Sequence, residues 1–493
     1  MTQINRSKGT TASEQYLARL ADRSFLNLWS YPNVYRDTMV NGRRAGKELC
    51  DLLVVCGDHS IIFSIKDISW NENKDINVAW PRWYNRAIKK SATQVRRAER
   101  WITRLPDRLF LDTACSQPLP IPLAPPETRK IYGVIVALGA HEACSKFFGG
   151  DAGSFLIAPR LVGDAHADPD APGYSPFAIG DVDPEGSFIH VVNDVTMDVV
   201  LRELDTITDF TEYLDRKTAF VRSGQLGTAA GEEELLAYYL THLDSDNKHG
   251  FVHPDNRPWR SNENITFDQG FYANMIKNPQ YIRKKEADRN SYTWDRLIEV
   301  FTDHMLAGTT IVPDGSPFEI AKHELGVRYM AQEPRLLRRV LSQGILGLLE
   351  IAHKQERTFR TIIPPPEKPR NGLGYLFLTL AHPKKALDGG YAQYRQARVN
   401  MLYAYCDSVL YKYPHLKRII GIATEPPPDP NYTGEFSEDM IMLEGPSEWS
   451  PEHLAELERL RTHFDIMRED RIRTGYFAGI EYPDAPAEKK DSK

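Results

Sequence analysis

Two residues separated by a short turn stand out chemically. Asp51 lies near the head of the apolar run Leu49 to Val55, and Lys66 ends a second run, Ser60 to Lys66. Between them Gly57, Asp58 and His59 form a turn-forming stretch of hairpin length. Side chains alternate along a strand, so Ile62, Ser64 and Lys66 share a face and Lys66 can look into the same cleft as Asp51. Hydrolysis of a phosphodiester needs a divalent metal, a carboxylate to hold it and often a cation near the attacking water. One strand offering Asp and the next offering Lys supplies that minimum. Both residue types are also common at strand ends with no chemistry attached.

Positioning such a pair takes neighbouring elements, and the sequence provides them. Thr11 to Leu28 predicts a helix, with Tyr16, Leu17, Leu20, Phe25 and Leu28 near helical spacing and a capping box between Thr11 and Glu14. Arg82 to Leu105 returns to helical spacing and is basic: Arg82, Arg86, Lys89, Lys90, Arg96, Arg97, Arg100 and Arg104 stand against the single acid Glu99. A proline-rich loop, Pro118 to Pro126, leads into Ile131 to Leu138, a continuous apolar run expected of a strand covered on both faces.

Helix, Asp51 strand, hairpin, Ser64-Ile65-Lys66 strand, basic helix and apolar strand, in that order, resemble the core of the PD-(D/E)xK restriction-endonuclease-like nuclease superfamily over about residues 11–140. The resemblance implies a mixed-sheet α/β domain in which Asp51 binds Mg²⁺ or Mn²⁺ and Lys66 helps activate water. The sequence departs at position 64, where the family has Asp or Glu and this chain has serine, a neutral and poorer metal ligand. Three acids are candidates to compensate. Glu14 lies on the leading helix, where members resembling Holliday-junction resolvases place a metal-binding Glu, and it is the favoured one. Glu48 sits at the base of the Asp51 strand, and Asp67 should point to the opposite face. Gln94 occupies the helix where RecB-like nucleases carry a site-supporting Gln, with Ala98 where that branch has an aromatic.

Each assignment has an ordinary counterpart. Glu14 can be the capping partner of Thr11 and nothing more. Glu48 can be a solvated charge. The basic helix can hold phosphates through Arg82, Arg86, Lys89, Lys90, Arg96, Arg97 and Arg100, or it can be a solvated face. Trp70, Trp80, Trp83 and Tyr84 beside it could stack on unpaired bases, although tryptophans more often sit in cores.

The 493 residues, 41% hydrophobic, are enough for more than one core. The expected division is a nuclease-like domain over 1–220, a mainly helical middle over 221–363, a smaller C-terminal α/β domain over 364–482 and a disordered tail over 483–493. In the first domain Phe188 to Val192 reads as a strand. Met197 to Lys217 and Glu232 to Leu243 read as helices joined by Ser223 to Gly227. Pro364 to Pro369 reads as a linker. Beyond it come strands at Tyr375 to Leu380 and Ile419 to Ala423, a helix from Tyr391 to Tyr411 and another capped by Ser450. Ser437, Glu438 and Asp439 read as an acidic loop beyond a strand end, and the stripe Tyr391, Tyr394 and Tyr405 as a buried helix face.

The formal charge of -6 confines any polyanion site to a local patch. Five scattered cysteines without a CxxC pair argue against a disulfide framework and a structural zinc site. The polar N-terminus lacks the apolar stretch of a signal peptide, and no window approaches a membrane span, so a soluble cytoplasmic protein is expected. His141-Glu142 has no second histidine four positions on, and Phe147 to Gly153 is a turn rather than a phosphate loop. Together these readings lead to the expectation of a Mg²⁺- or Mn²⁺-dependent endonuclease acting on nucleic acid, most simply DNA. A restriction or phage-defence effector is the context, and a homo-oligomer or partner protein is open. The competing expectation is a catalytically degenerate fold that binds nucleic acid or protein.

Overall fold

A computed structural model describes residues 4–40, 43–150, 153–309, 320–368, 370–382, 390–427, 436–468, 470, 472–476 and 479–484. In chain order, α1 (Ala12–Phe25) leads into β1 (Ser30–Val40), β2 (Arg43–Cys56) and β3 (His59–Asp67), followed by α2 (Ile76–Tyr84) and α3 (Lys90–Arg104). Next come β4 (Leu109–Phe110), β5 (Lys130–Leu138), α4 (His141–Phe148), β6 (Leu156–Val162), β7 (Ala178–Asp181) and β8 (Ile189–Asn193). Helices α5 (Thr196–Glu203) and α6 (Ile207–Arg222), strand β9 (Leu226–Ala229), α7 (Glu232–Thr241) and β10 (Ile265–Phe267) follow. Five helices come next: α8 (Phe271–Met275), α9 (Pro279–Asp288), α10 (Tyr292–Ala307), α11 (Ile320–Ala331) and α12 (Arg335–Ala352). The last unit holds β11 (Arg357–Ile362), β12 (Leu373–Leu380), α13 (Gly390–Lys412), β13 (Arg418–Thr424), β14 (Glu438–Glu444) and α14 (Pro451–Phe464).

The result is a mixed α/β protein with three mixed sheets. The first has the order β4-β1-β2-β3-β5-β8. Strands β4, β1, β2 and β3 are antiparallel neighbours, whereas β3, β5 and β8 run parallel. Gly57 turns the β2-β3 hairpin in a left-handed conformation (φ 58), which costs glycine little. On β5 a glycine serves packing instead. A Cβ on Gly133 would come within 2.6 Å of Val95 on α3, so its absence lets the helix settle on the sheet. Phe63 and Ser64 are adjacent on β3 and face opposite ways. Phe63 packs with Phe25 of α1 and Phe210 of α6, and α3 covers the Ser64 face. The apolar run of β5 is buried as its composition requires.

The described residues alter several expected boundaries. β1 was not foreseen. Residues 30–34 are buried in succession with no period-two alternation, and Pro32 and Asn33 among them weaken the strand signal. The leading helix ends at Phe25, three residues early, because Leu26 takes φ 65. The basic helix begins before Arg82, and Pro81 is followed by a π-turn over Asn85–Lys89. The helix expected over Met197 to Lys217 divides into α5 and α6, with Thr206 capping the second through the Asp209 N–H. Ser437 precedes, and Glu438 and Asp439 lie on, β14, which pairs with β13; the acidic loop is a strand start.

The expected division at 220 falls inside the second sheet, β10-β9-β6-β7, which joins strands from both sides of it. Buried Arg335 of α12 reaches back across the same point, 2.9 Å from Asp205 and 2.8 Å from Asp295. The division at 363 separates β11 from β12, antiparallel neighbours in the third sheet β11-β12-β13-β14. The proline segment thus links strands of one sheet. Within the helical middle, the stretch from His242 to Gly270 is largely irregular apart from β10. Of the expected disordered tail, Pro483 accepts a hydrogen bond from Arg283, and residues 485–493 lie outside the described residues. All five cysteines are buried and free, and among the described residues no helix is long and apolar enough to cross a membrane.

Candidate active site

Strands β2 and β3 pair from Cys56/His59 only as far as Leu52/Phe63. Beyond that point β2 continues along β1 while β3 continues along β5. Asp51 and Ser64 are the first residues past the parting. Asp51 is 3% exposed, and its Oδ2 accepts the N–H of Ile65 at 2.7 Å, giving that backbone donor a partner where β2 no longer does. Lys66 Nζ stands 3.7 Å from the same oxygen, on a side chain 35% exposed. The parted strands therefore present a buried carboxylate and a solvent-reaching ammonium together.

Ser64 is fully buried and donates to Gln94 Oε1 at 3.2 Å, so the two residues brace each other across the sheet-helix contact. Glu14 has partners at the cap of its own helix and on β1. It closes the capping box, its N–H bonded to Thr11 Oγ1 at 3.2 Å while its Oε2 accepts the N–H groups of Thr10 at 2.7 Å and Thr11 at 3.2 Å. The same Oε2 accepts a hydrogen bond from Asn33 Nδ2 at 3.1 Å. Asn33 Nδ2 also donates to Glu48 Oε1 at 3.0 Å, so one amide links acids from α1 and β2. Asp67 is exposed and belongs to the opposite face.

The electrostatics divide the acids. Burial raises the Asp51 pKa, and the Lys66 charge and Ile65 N–H only partly offset it. Glu48 is raised too, first by burial around its carboxyl group and then by the charges of Asp51 and Glu14. For Glu14 burial pulls upward, but hydrogen bonds from Asn33, Thr10 and Thr11 outweigh it and hold the pKa below the usual value. These mutual effects place the three carboxylates in one electrostatic cluster.

Their oxygens are the hard donors that Mg²⁺ or Mn²⁺ takes. The two Asn33 N–H groups, donated to Glu14 and Glu48, offset part of the cluster's negative charge and fix one oxygen of each acid. In donor chemistry and charge the cluster fits a divalent cation. Among the described residues, however, no three His, Cys, Asp or Glu side chains already stand as a ready-made ligand group. Asn33 itself was missed by the sequence reading. The only local hint was an asparagine beside a proline ahead of the hairpin, a pattern that usually signals a turn.

The basic helix is less uniform than its sequence. Lys89 pairs with Asp164 at 2.6 Å. Arg96 is turned inward and committed to Asp183, Glu99 and the Ser187 carbonyl, so it is a structural tie rather than a free phosphate ligand. Arg82, Arg86, Lys90, Arg97 and Arg100 are exposed and form no ion pair among the described residues. The aromatic residues beside them are core: Trp80, Trp83 and Tyr84 are buried, and the indole N–H groups bond to His166 and Ile68 carbonyls at 2.9 and 2.7 Å. Trp70 packs on Phe177. None of the three buried rings can stack on a base without unfolding its surroundings.

No protein-family model, no curated protein and no solved structure matches this chain.

Proposed function

We propose that this chain is a divalent-metal-dependent nuclease of the restriction-endonuclease-like type, acting on DNA. The observation that carries the reading is the meeting of Asp51, Lys66, Glu14 and Glu48 where β2 and β3 part. Asp51 with Glu14 or Glu48 would hold Mg²⁺ or Mn²⁺, which supplies stabilisation of the attacking and leaving oxygens when bound. Lys66 places an ammonium beside the Asp51 carboxylate, able to orient water and to offset charge developing on phosphate. Gln94 fixes Ser64 and with it the path of β3 through the site. The exposed cations Arg82, Arg86, Lys90, Arg97 and Arg100 supply a surface for the phosphate backbone.

A second reading is a degenerate nuclease fold that binds nucleic acid without cutting it. Buried Ser64, neutral and engaged by Gln94, favours it, because the family's second acid is missing at that position. Incubation of the purified chain with supercoiled plasmid and Mg²⁺ or Mn²⁺, beside Asp51→Asn and Lys66→Ala, separates the two. Metal-dependent nicking lost in both variants supports the nuclease. Salt-sensitive binding with no nicking by the wild type supports the binding module.

A further inference from the structure

Asn33 lies on β1 directly across from Asp51, since Pro32 pairs with Leu52 and Val34 with Cys50. It sits just ahead of a register shift between Val34 and Tyr35 and takes a left-handed conformation (φ 50), which asparagine tolerates better than most side chains. Its side chain is buried, with 1% exposure. The Ser7 hydroxyl donates to Oδ1 at 2.7 Å, which turns the amide nitrogen toward Glu14 and Glu48. Every polar atom of the amide is engaged, and the two carboxylates it links arrive from separate elements, α1 and β2.

We propose that Asn33 is the positioning residue of this centre: its amide fixes Glu14 and Glu48 in front of Asp51 and so sets how tightly the chain holds a divalent cation. The proposal rests on reading the Asp51 centre as a metal site. Without the amide, two like charges on different elements repel and lose their common anchor. Residues that orient metal-binding groups typically alter metal affinity 10–100-fold when removed. A residue that merely filled space at the bulge would change stability and leave ion affinity alone.

The test is Mn²⁺ titration of the full chain by calorimetry, with folding of each variant checked by circular dichroism. Asn33→Gly keeps the left-handed backbone and deletes the amide; its Mn²⁺ affinity should fall about 10–100-fold. Ser7→Ala leaves the amide but frees its orientation, and affinity should fall by a smaller factor in a fully folded chain. Unchanged affinity in folded Asn33→Gly, or in Ser7→Ala should the glycine variant unfold, overturns the proposal. Binding that is lost in Asp51→Ala but unchanged in Asn33→Gly overturns it alone. Absence of Mn²⁺ binding in the wild type overturns the metal reading and this proposal with it.

Discussion

The Asp51 carboxylate accepts the Ile65 N–H at 2.7 Å, one position beyond the last pair of the β2-β3 ladder. A side chain here takes over a backbone partner's role, so the strands can separate without stranding a buried donor. The same oxygen faces Lys66, which ties the opening of the sheet and the candidate chemistry to one residue.

Asp51→Ala should therefore destabilise more than Asp51→Asn. Alanine leaves the Ile65 N–H without its acceptor, at a cost of about 1–3 kcal/mol, whereas asparagine retains an oxygen there. Urea unfolding of both variants measures the difference. Equal stabilities would remove the structural half of the role assigned to Asp51.

The raised Asp51 pKa predicts a pH-dependent advantage for Asp51→Asn. A carboxyl with a folded-state pKa above its unfolded value binds its proton more tightly when folded. Its stabilising contribution is fully present below the unfolded value, about 3.9 for Asp, and is lost as pH rises through the raised value. The asparagine variant has no such loss, so its stability relative to wild type should increase as pH rises from about 4 through the raised value. Glu14, with its lowered pKa, acts oppositely: its contribution is present at neutral pH and lost as pH falls through the lowered value. Unfolding curves across this range check the sign, and a flat difference would refute it.

Ser64→Asp would place a second carboxylate across the parting from Asp51. Mn²⁺ affinity should rise with the added charge. Metal-free stability at neutral pH should fall, because a buried like charge is added and the Ser64 hydrogen bond to Gln94 is lost. Calorimetry and thermal unfolding read the two effects separately. A gain in metal-free stability would show that the site does not repel negative charge.

Alanine at Arg82, Arg86, Lys90 and Arg97 should weaken DNA binding uniformly across sequences and flatten its dependence on salt. The slope of log affinity against log salt changes by about 0.9 for each phosphate that the protein no longer neutralises. Trp80→Ala should instead cost about 3–5 kcal/mol of stability, since the ring is fully buried. Filter binding at several salt concentrations and urea unfolding test the division between surface and core. A salt slope unchanged in the quadruple variant would exclude this helix as the phosphate-binding face.

Local pattern alone made much of this protein legible. Period-two alternation with Gly57 defined the β2-β3 hairpin, the apolar run of β5 announced a doubly covered strand, and the Thr11 to Glu14 spacing gave the cap of α1. The same patterns put Asp51 and Lys66 on one face and Glu14 in a cap, because strand alternation and helix capping depend on near neighbours in the chain, whereas Glu48 and Gln94 entered only through the resemblance to a nuclease family.

Tertiary structure decided what local spacing does not encode. The partner of Asp51 turned out to be a backbone N–H, and the link between Glu14 and Glu48 is the amide of Asn33, carried on a strand whose signal Pro32 and Asn33 weaken. Arg96 reads as one more cation in a basic helix, yet Asp183 and Ser187, distant in sequence, turn it inward. Sheet pairing and a buried ion pair likewise cross the points 220 and 363, joining residues far apart in the chain, whereas composition records only what each segment is made of.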